Sequence, residues 1–169
     1  MQYVRIPRER IGVLIGEDGK TRADIEARTR TKISVEDTSI SIEGNPLDEW
    51  ITSDVVRAIG RGFSPEKALL LTNENMSFEL VNLADALGDS EKVITRIKGR
   101  LIGTNGKSRQ KIETLTKCFI SVYGKTVGII GSLDDAPDAR EAVLKLISGS
   151  PHTNVFRSLE RRRKERKIL

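Results

Sequence analysis

Hydrophobic positions alternate from Tyr3 through Val4 and Arg5 to Ile6, which predicts a short strand closed by Pro7. Ile11, Leu14 and Ile15 then recur at helical spacing, and Ile25 is the apolar contact of a second helix predicted over 20–29. Alternation resumes over 31–35 and 39–43 around Glu36-Asp37-Thr38, the pattern of a hairpin. Gly44-Asn45-Pro46 breaks it, and Ile51, Val55 and Ile59 mark one face of a third helix that Gly60 and Gly62 end. Ser64-Pro65-Glu66 reads as a fresh N-cap with proline at the first helical position, leading into Ala68-Leu69-Leu70-Leu71.

The same order then returns. Past Asn73-Glu74-Asn75, the pattern predicts a strand over 76–83 carrying Phe78, Leu80 and Leu83. A helix starting near Ser90 presents Val93, Ile94, Ile97 and Leu101; a second helix covers 107–116, strands cover 119–122 and 126–130, and a last helix covers 137–147. Pro151 opens a basic tail whose Val155, Phe156 and Leu159 are spaced to dock the start of a helix. The expected division is 1–75, 76–150 and a tail over 151–169. Each of the first two parts is an α+β module of order β-α-α-β-β-α, a three-stranded antiparallel sheet backed by helices.

The repetition extends to individual residues. Leu14-Ile15-Gly16-Glu17-Asp18-Gly19-Lys20-Thr21-Arg22 matches Leu101-Ile102-Gly103-Thr104-Asn105-Gly106-Lys107-Ser108-Arg109, an offset of 87. Ile25 answers Ile112, Ile33-Ser34-Val35 answers Ile120-Ser121-Val122, and Gly44 answers Gly131. Roughly fourteen of thirty-one ungapped positions are identical, so the module is duplicated.

A Gly-x-x-Gly turn that opens a helix combines close backbone approach with N–H groups and a positive dipole end, which suits a phosphate. A nucleotide-binding P-loop would need its first glycine where Leu14 and Leu101 stand, so that chemistry is set aside. Twice over, Ile-Gly-x-x-Gly-Lys followed by Thr or Ser, a downstream isoleucine and a hairpin resembles the type I KH module, whose glycine loop clamps about four nucleotides of single-stranded nucleic acid. The pair of modules, joined through residues 58–69, resembles the small-subunit ribosome assembly factors called Partner of Nob One in their archaeal form. That resemblance implies a cytoplasmic, non-enzymatic protein without cofactor or metal. It implies binding of single-stranded ribosomal RNA near the 3′ end of the small-subunit rRNA, beside a processing endonuclease and other assembly proteins. A KH-type protein-interaction adaptor and a regulatory mRNA-binding protein are the alternatives.

Composition narrows the field further. Cys118 and His152 stand alone, against disulfide frameworks, cysteine or histidine metal centres and most catalytic triads. No apolar run approaches a membrane span, the N-terminus does not begin like a signal peptide, and no small-molecule substrate is implied. Aromatic residues make up 4% of the chain, against a stacking platform of the OB type, and Trp50, Phe63 and Phe78 are assigned to packing. Net charge is +5, yet it is unevenly shared. Over 17–38, five basic residues face six acidic ones; over 104–125, five face only Glu113.

The second copy is therefore the expected RNA clamp. Its predicted residues are Ile102, Gly103, Thr104, Asn105, Gly106, Lys107, Ser108, Arg109, Lys111, Ile112 and Ile120. Lys107 and Arg109 would pair with phosphates, and Ile102, Ile112 and Ile120 would floor an aliphatic base groove. Gly16, Gly19, Lys20 and Arg22 form a secondary or vestigial site, because Glu17 and Asp18 sit where phosphate should. Because the loop lies at the surface, acidic residues at Gly103 and Gly106 are expected to block RNA without harming the fold.

Overall fold

A computed structural model describes residues 1–168, which divide between Phe78 and Glu79 into two compact units. In the first unit the alternating stretches become β1 (Gln2–Arg5), β2 (Lys32–Glu36) and β3 (Ser39–Glu43), an antiparallel sheet with β3 central. Register pairs Val4 with Ile40 and Ile33 with Ile42, so the apolar side chains share one face. That face is closed by α1 (Arg8–Ile15), α2 (Lys20–Thr29) and α3 (Pro46–Gly60). Leu14, Ile25, Ile40, Ile42, Val55 and Ile59 are fully buried beneath them. Asn45 caps α3 by accepting the Asp48 N–H at 2.9 Å, with Pro46 at the first helical position. A short α4 (Pro65–Ala68), capped by Ser64, runs into a 3-10 turn over Leu69–Thr72.

Trp50 does not pack as expected; it is 67% exposed. The inward face of α3 is set by Thr52, Val55, Val56 and Ile59. Trp50 precedes Thr52 by two residues, about 200° round the helix, and so points outward. The buried hydroxyls of the unit form a chain. Thr29 and Thr31 meet at 2.8 Å, Thr31 and Thr52 at 3.1 Å, and Thr52 donates to the Asp48 carbonyl at 2.7 Å.

The second unit repeats the plan with β4 (Met76–Asn82), β5 (Phe119–Tyr123) and β6 (Thr126–Ser132), β6 central. Leu83 is not the end of β4 but the first residue of an added helix, α5 (Leu83–Leu87). Asn82 turns the chain by accepting the N–H groups of Ala84 and Asp85, and Leu83 is buried by the change of direction. α6 (Glu91–Ile102), capped by Ser90, α7 (Lys107–Thr116) and α8 (Ala136–Ile147) cover the sheet. Their core includes Leu101, Ile112, Ile120, Val127, Ile129 and Leu146.

Residues 152–168 of the basic tail form one helix, α9 (His152–Ile168), that packs on α7 and α8; residue 169 lies outside the described residues. Val155 and Leu159 are buried in this packing. Two of the tail's arginines face acidic residues at the start of α8. Arg162 bridges Asp138 at 2.9 Å and Glu141 at 2.6 Å, and Arg166 bridges Asp138 at 2.8 Å and Asp135. Among the described residues, no helix is long and apolar enough to cross a membrane.

Candidate nucleic-acid interface

Each glycine turn joins two helices by a sharp bend whose torsions only glycine and a short polar residue tolerate. Gly103 has φ 73° and ψ 174°, Asn105 sits at φ 56° and ψ 27°, and Gly106 at φ 74° and ψ 13°. In the first copy Gly16, Asp18 and Gly19 take the same values to within 3°. The two loops thus share one backbone and differ only in what hangs from it.

The two glycines of a turn are not equivalent. A β-carbon at Gly103 would stand 2.7 Å from Ser108 Cβ and 2.8 Å from its backbone nitrogen. At Gly106 it would meet nothing within 4 Å. The expectation that acidic residues at both glycines spare the fold is thereby corrected: Gly103 is a close-packing position, and only Gly106 faces open space. Gly16 and Gly19 divide in the same way, with Thr21 in the place of Ser108.

Hydrogen bonds decide which amides remain for a ligand. The Gly106 N–H donates to Gly103 O at 3.2 Å and the Lys107 N–H to Thr104 O, so both are spent inside the turn. The N–H groups of Thr104 and Asn105 remain for an anion, with no carboxylate in the loop beside them. In the first copy Gly19 and Lys20 are spent identically. Its two remaining amides are those of Glu17 and Asp18, whose own carboxylates stand next to them.

The predicted site residues separate into four groups. Thr104, Asn105 and Lys107 are exposed at the turn; Gly103, Gly106, Ile102 and Arg109 are half-buried around it. Lys111 is exposed but turned toward α9, 3.7 Å from Glu160 and 5.6 Å from the Phe156 ring. Ser108, Ile112 and Ile120 are buried, beneath the surface that a base would touch. In the first copy Arg22 lies 3.8 Å from Glu26, and Lys20 is exposed.

Two supports of the site escaped sequence reasoning although the repeat carries both. Glu113 on α7 accepts the Ile120 N–H at 2.9 Å, and Glu26 on α2 accepts the Ile33 N–H at 3.2 Å. Each carboxylate ties the start of an edge strand to the helix that follows the glycine turn. Gly44 and Gly131 close the same corner from the other side. A β-carbon at Gly44 would press on Thr31 and one at Gly131 on Cys118, which occupy equivalent positions. The shared identities Glu26/Glu113 and Gly44/Gly131 were the available signal.

Burial of Cys118 raises its thiol pKa to about 11. Hydrogen bonds from Arg162 and Lys145 draw the Glu141 carboxyl down to about 2.

Comparison with known proteins gives a consistent picture. Residues 5–74 and 77–164 each match the model of the second KH domain of PNO1, described as a eukaryotic-type KH domain (KH-domain type I). A KH domain-containing protein of Methanocaldococcus jannaschii is 40% identical over 171 residues, covering 98% of this chain and 75% of that protein. The RNA-binding protein pno1 of Drosophila melanogaster is 37% identical over 111 residues, 63% of this chain and 45% of the fly protein, so the chain spans less than half of that relative. Among solved structures, Dim2p of Pyrococcus horikoshii superimposes with a TM-score of 0.88 at 45% identity, over 95% of this chain and 98% of that one. Dim2p in the a/eIF2alpha–aDim2p–rRNA complex of the same organism gives 0.90 at 45% identity, over 97% and 94%.

Proposed function

Since the chain belongs to the PNO1 family of type I KH proteins, we propose that it binds single-stranded ribosomal RNA during small-subunit rRNA processing and assembly, near the rRNA 3′ end. The observation that carries this reading is the acid-free turn of the second unit. Its free Thr104 and Asn105 amides lie beside the exposed Lys107. A phosphate there meets backbone donors and a lysine at once, while Arg109, two residues on, lies about 200° round α7 from Lys107. The role is binding rather than catalysis: the chain would hold the substrate while a partner endonuclease cuts, in the cytoplasm, alongside other assembly proteins. The Dim2p relative, whose complex contains an rRNA, supports this choice of ligand.

The test is fluorescence anisotropy with a labelled single-stranded RNA of rRNA 3′-end sequence, comparing wild type with Asn105→Asp combined with Gly106→Asp. Asp18 already occupies the position equivalent to Asn105, and a side chain at Gly106 meets nothing within 4 Å, at a torsional cost of about 1–2 kcal/mol, so loss of binding with an unchanged circular dichroism spectrum supports the clamp. Wild-type affinity in the variant removes it.

A second reading concerns the first unit. Its free amides belong to Glu17 and Asp18, so its loop repels phosphate and suits a basic protein partner. Glu17→Thr with Asp18→Asn, placed in the Asn105→Asp, Gly106→Asp background, is expected to restore part of the RNA binding. No restoration would mean that more than two carboxylates silences the first groove.

A further inference from the structure

We propose that the seam between α7 and α9 holds a second phosphate site, which takes the backbone of an RNA strand running out of the second unit's clamp. This rests on the reading of the Gly103–Gly106 turn as that clamp. From the turn, an open trough runs along α7, lined by Lys107, Gln110, Lys111, Leu115 and Glu160. At Leu115 it meets a pocket of about 150 Å³ formed where the end of α7, the start of α8 and α9 come together. The pocket has Leu115 and Leu159 among its walls and Lys117, Arg163, Arg166 and Lys167 among its charges.

Charge bookkeeping shows which of these cations are free. Asp135 and Asp138 also line the pocket, but both are engaged by Arg166, and Asp138 by Arg162 as well. Among the described residues, no ion pair involves Lys117, Arg163 or Lys167. The Arg163 Nε is buried and has no hydrogen-bond acceptor. A buried charged donor left without an acceptor is costly, and a bound anion would supply what the protein does not.

The position suits a strand rather than a lone ion. Lys107 opens the ten-residue α7 and Lys117 caps its far end, so the two residues lie about 15 Å apart along the helix axis. That is further than one phosphate can bridge, and the trough and the pocket share Leu115 as a wall. The first unit offers a contrast on the equivalent face of α2. There Asp24 stands where Lys111 is, and the adjoining groove is walled by Ser64, Pro65, Glu66 and Leu69 instead of a basic helix.

The experiment compares a single-stranded RNA of about five nucleotides, enough for one KH clamp, with one extended to about twelve. Three forms of the full chain are used: wild type, Lys117→Gln with Lys167→Gln, and those two with Arg163→Gln. Wild type should bind the longer RNA more tightly and with a steeper salt dependence. Both seam variants should bind the short RNA as wild type does and lose the gain from length. Each cation removed should lower the salt slope by about 0.7, so the triple variant should lose about eighteen-fold less affinity than wild type between about 50 and 200 mM salt.

Undiminished gain from length in the variants overturns the seam site while leaving the clamp reading intact. If Asn105→Asp with Gly106→Asp fails to weaken the short RNA, the clamp reading falls and the proposal with it. Displacement of the long RNA by a polyglutamate peptide in wild type, with the length gain retained in the variants, would assign the pocket to an acidic protein instead and overturn it.

Discussion

Replacing Gly103 with alanine tests whether the turn is held by packing from below or merely permitted by loop flexibility. Gly103 combines φ 73° with ψ 174°, a region that is essentially glycine-only and costs about 1–3 kcal/mol for another residue. The added carbon would also stand 2.7 Å from Ser108 Cβ and 2.8 Å from its backbone nitrogen. The nitrogen belongs to the first turn of α7 and cannot rotate away, so the helix start must shift, at about 1–3 kcal/mol. The sum is about 2–6 kcal/mol, a large part of the about 5–15 kcal/mol that holds a typical domain together. Gly106→Ala is the matched control: left-handed torsions costing about 1–2 kcal/mol, with no contact within 4 Å. Thermal unfolding followed by circular dichroism should show Gly103→Ala melting well below Gly106→Ala, by about 10 °C or more, given about 4–8 °C per kcal/mol for a domain of this size. Adding Ser108→Gly to Gly103→Ala should recover only part of the loss, because it removes the Cβ contact and keeps the nitrogen. Equal melting of the two single variants would refute the packing argument outright.

Four further outcomes are expected. The folded Glu141 pKa lies below its ordinary value of 4.5, so the stability it lends is complete above that pH and disappears as pH falls toward about 2. Its carboxylate is part-exposed and screened, which limits the effect to about 1 kcal/mol, and hydrogen exchange of α9 across that window should read it. Asp138→Asn should loosen α9 already at neutral pH, because Arg162 and Arg166 both use that carboxylate; the same exchange measurement checks this. Thr52→Val, which breaks the hydroxyl chain to Thr31 at a fully buried position, should cost about 1–2 kcal/mol in urea unfolding. Cys118, buried and with its pKa raised to about 11, should resist a thiol reagent at pH 8 until the protein unfolds.

Local signals carried most of the architecture. Alternation located the strands, glycine and proline located the breaks, and Ser64 and Ser90 announced helix starts that the structure bears out. What could not be read locally depends on α9. Nothing near Lys111 in the chain says that it will face Glu160, 49 positions away. The consumption of Arg162 and Arg166 was written as complementary stripes: Asp135, Asp138 and Glu141 three apart on one helix, Arg162 and Arg166 four apart on another. Matching those stripes requires knowing that the helices are neighbours. The inequality of Gly103 and Gly106 was likewise hidden, because both are glycines at positive φ and only their ψ angles and the packing of Ser108 separate them.

The coincidence of the two glycine turns to within 3° has a consequence for how such a protein can change. Shape here is inherited from residues that face inward, Thr21 and Ser108 among them, while the outward residues set the charge, Glu17 and Asp18 in one copy and the neutral Thr104 and Asn105 in the other. The two sets do not overlap. After the module was copied, either loop could gain or lose its affinity for phosphate through two outward substitutions, without passing through a misfolded intermediate. Divergence of role would therefore cost the fold nothing, and a copy that gave up one ligand would keep a ready-made surface on which another could be selected.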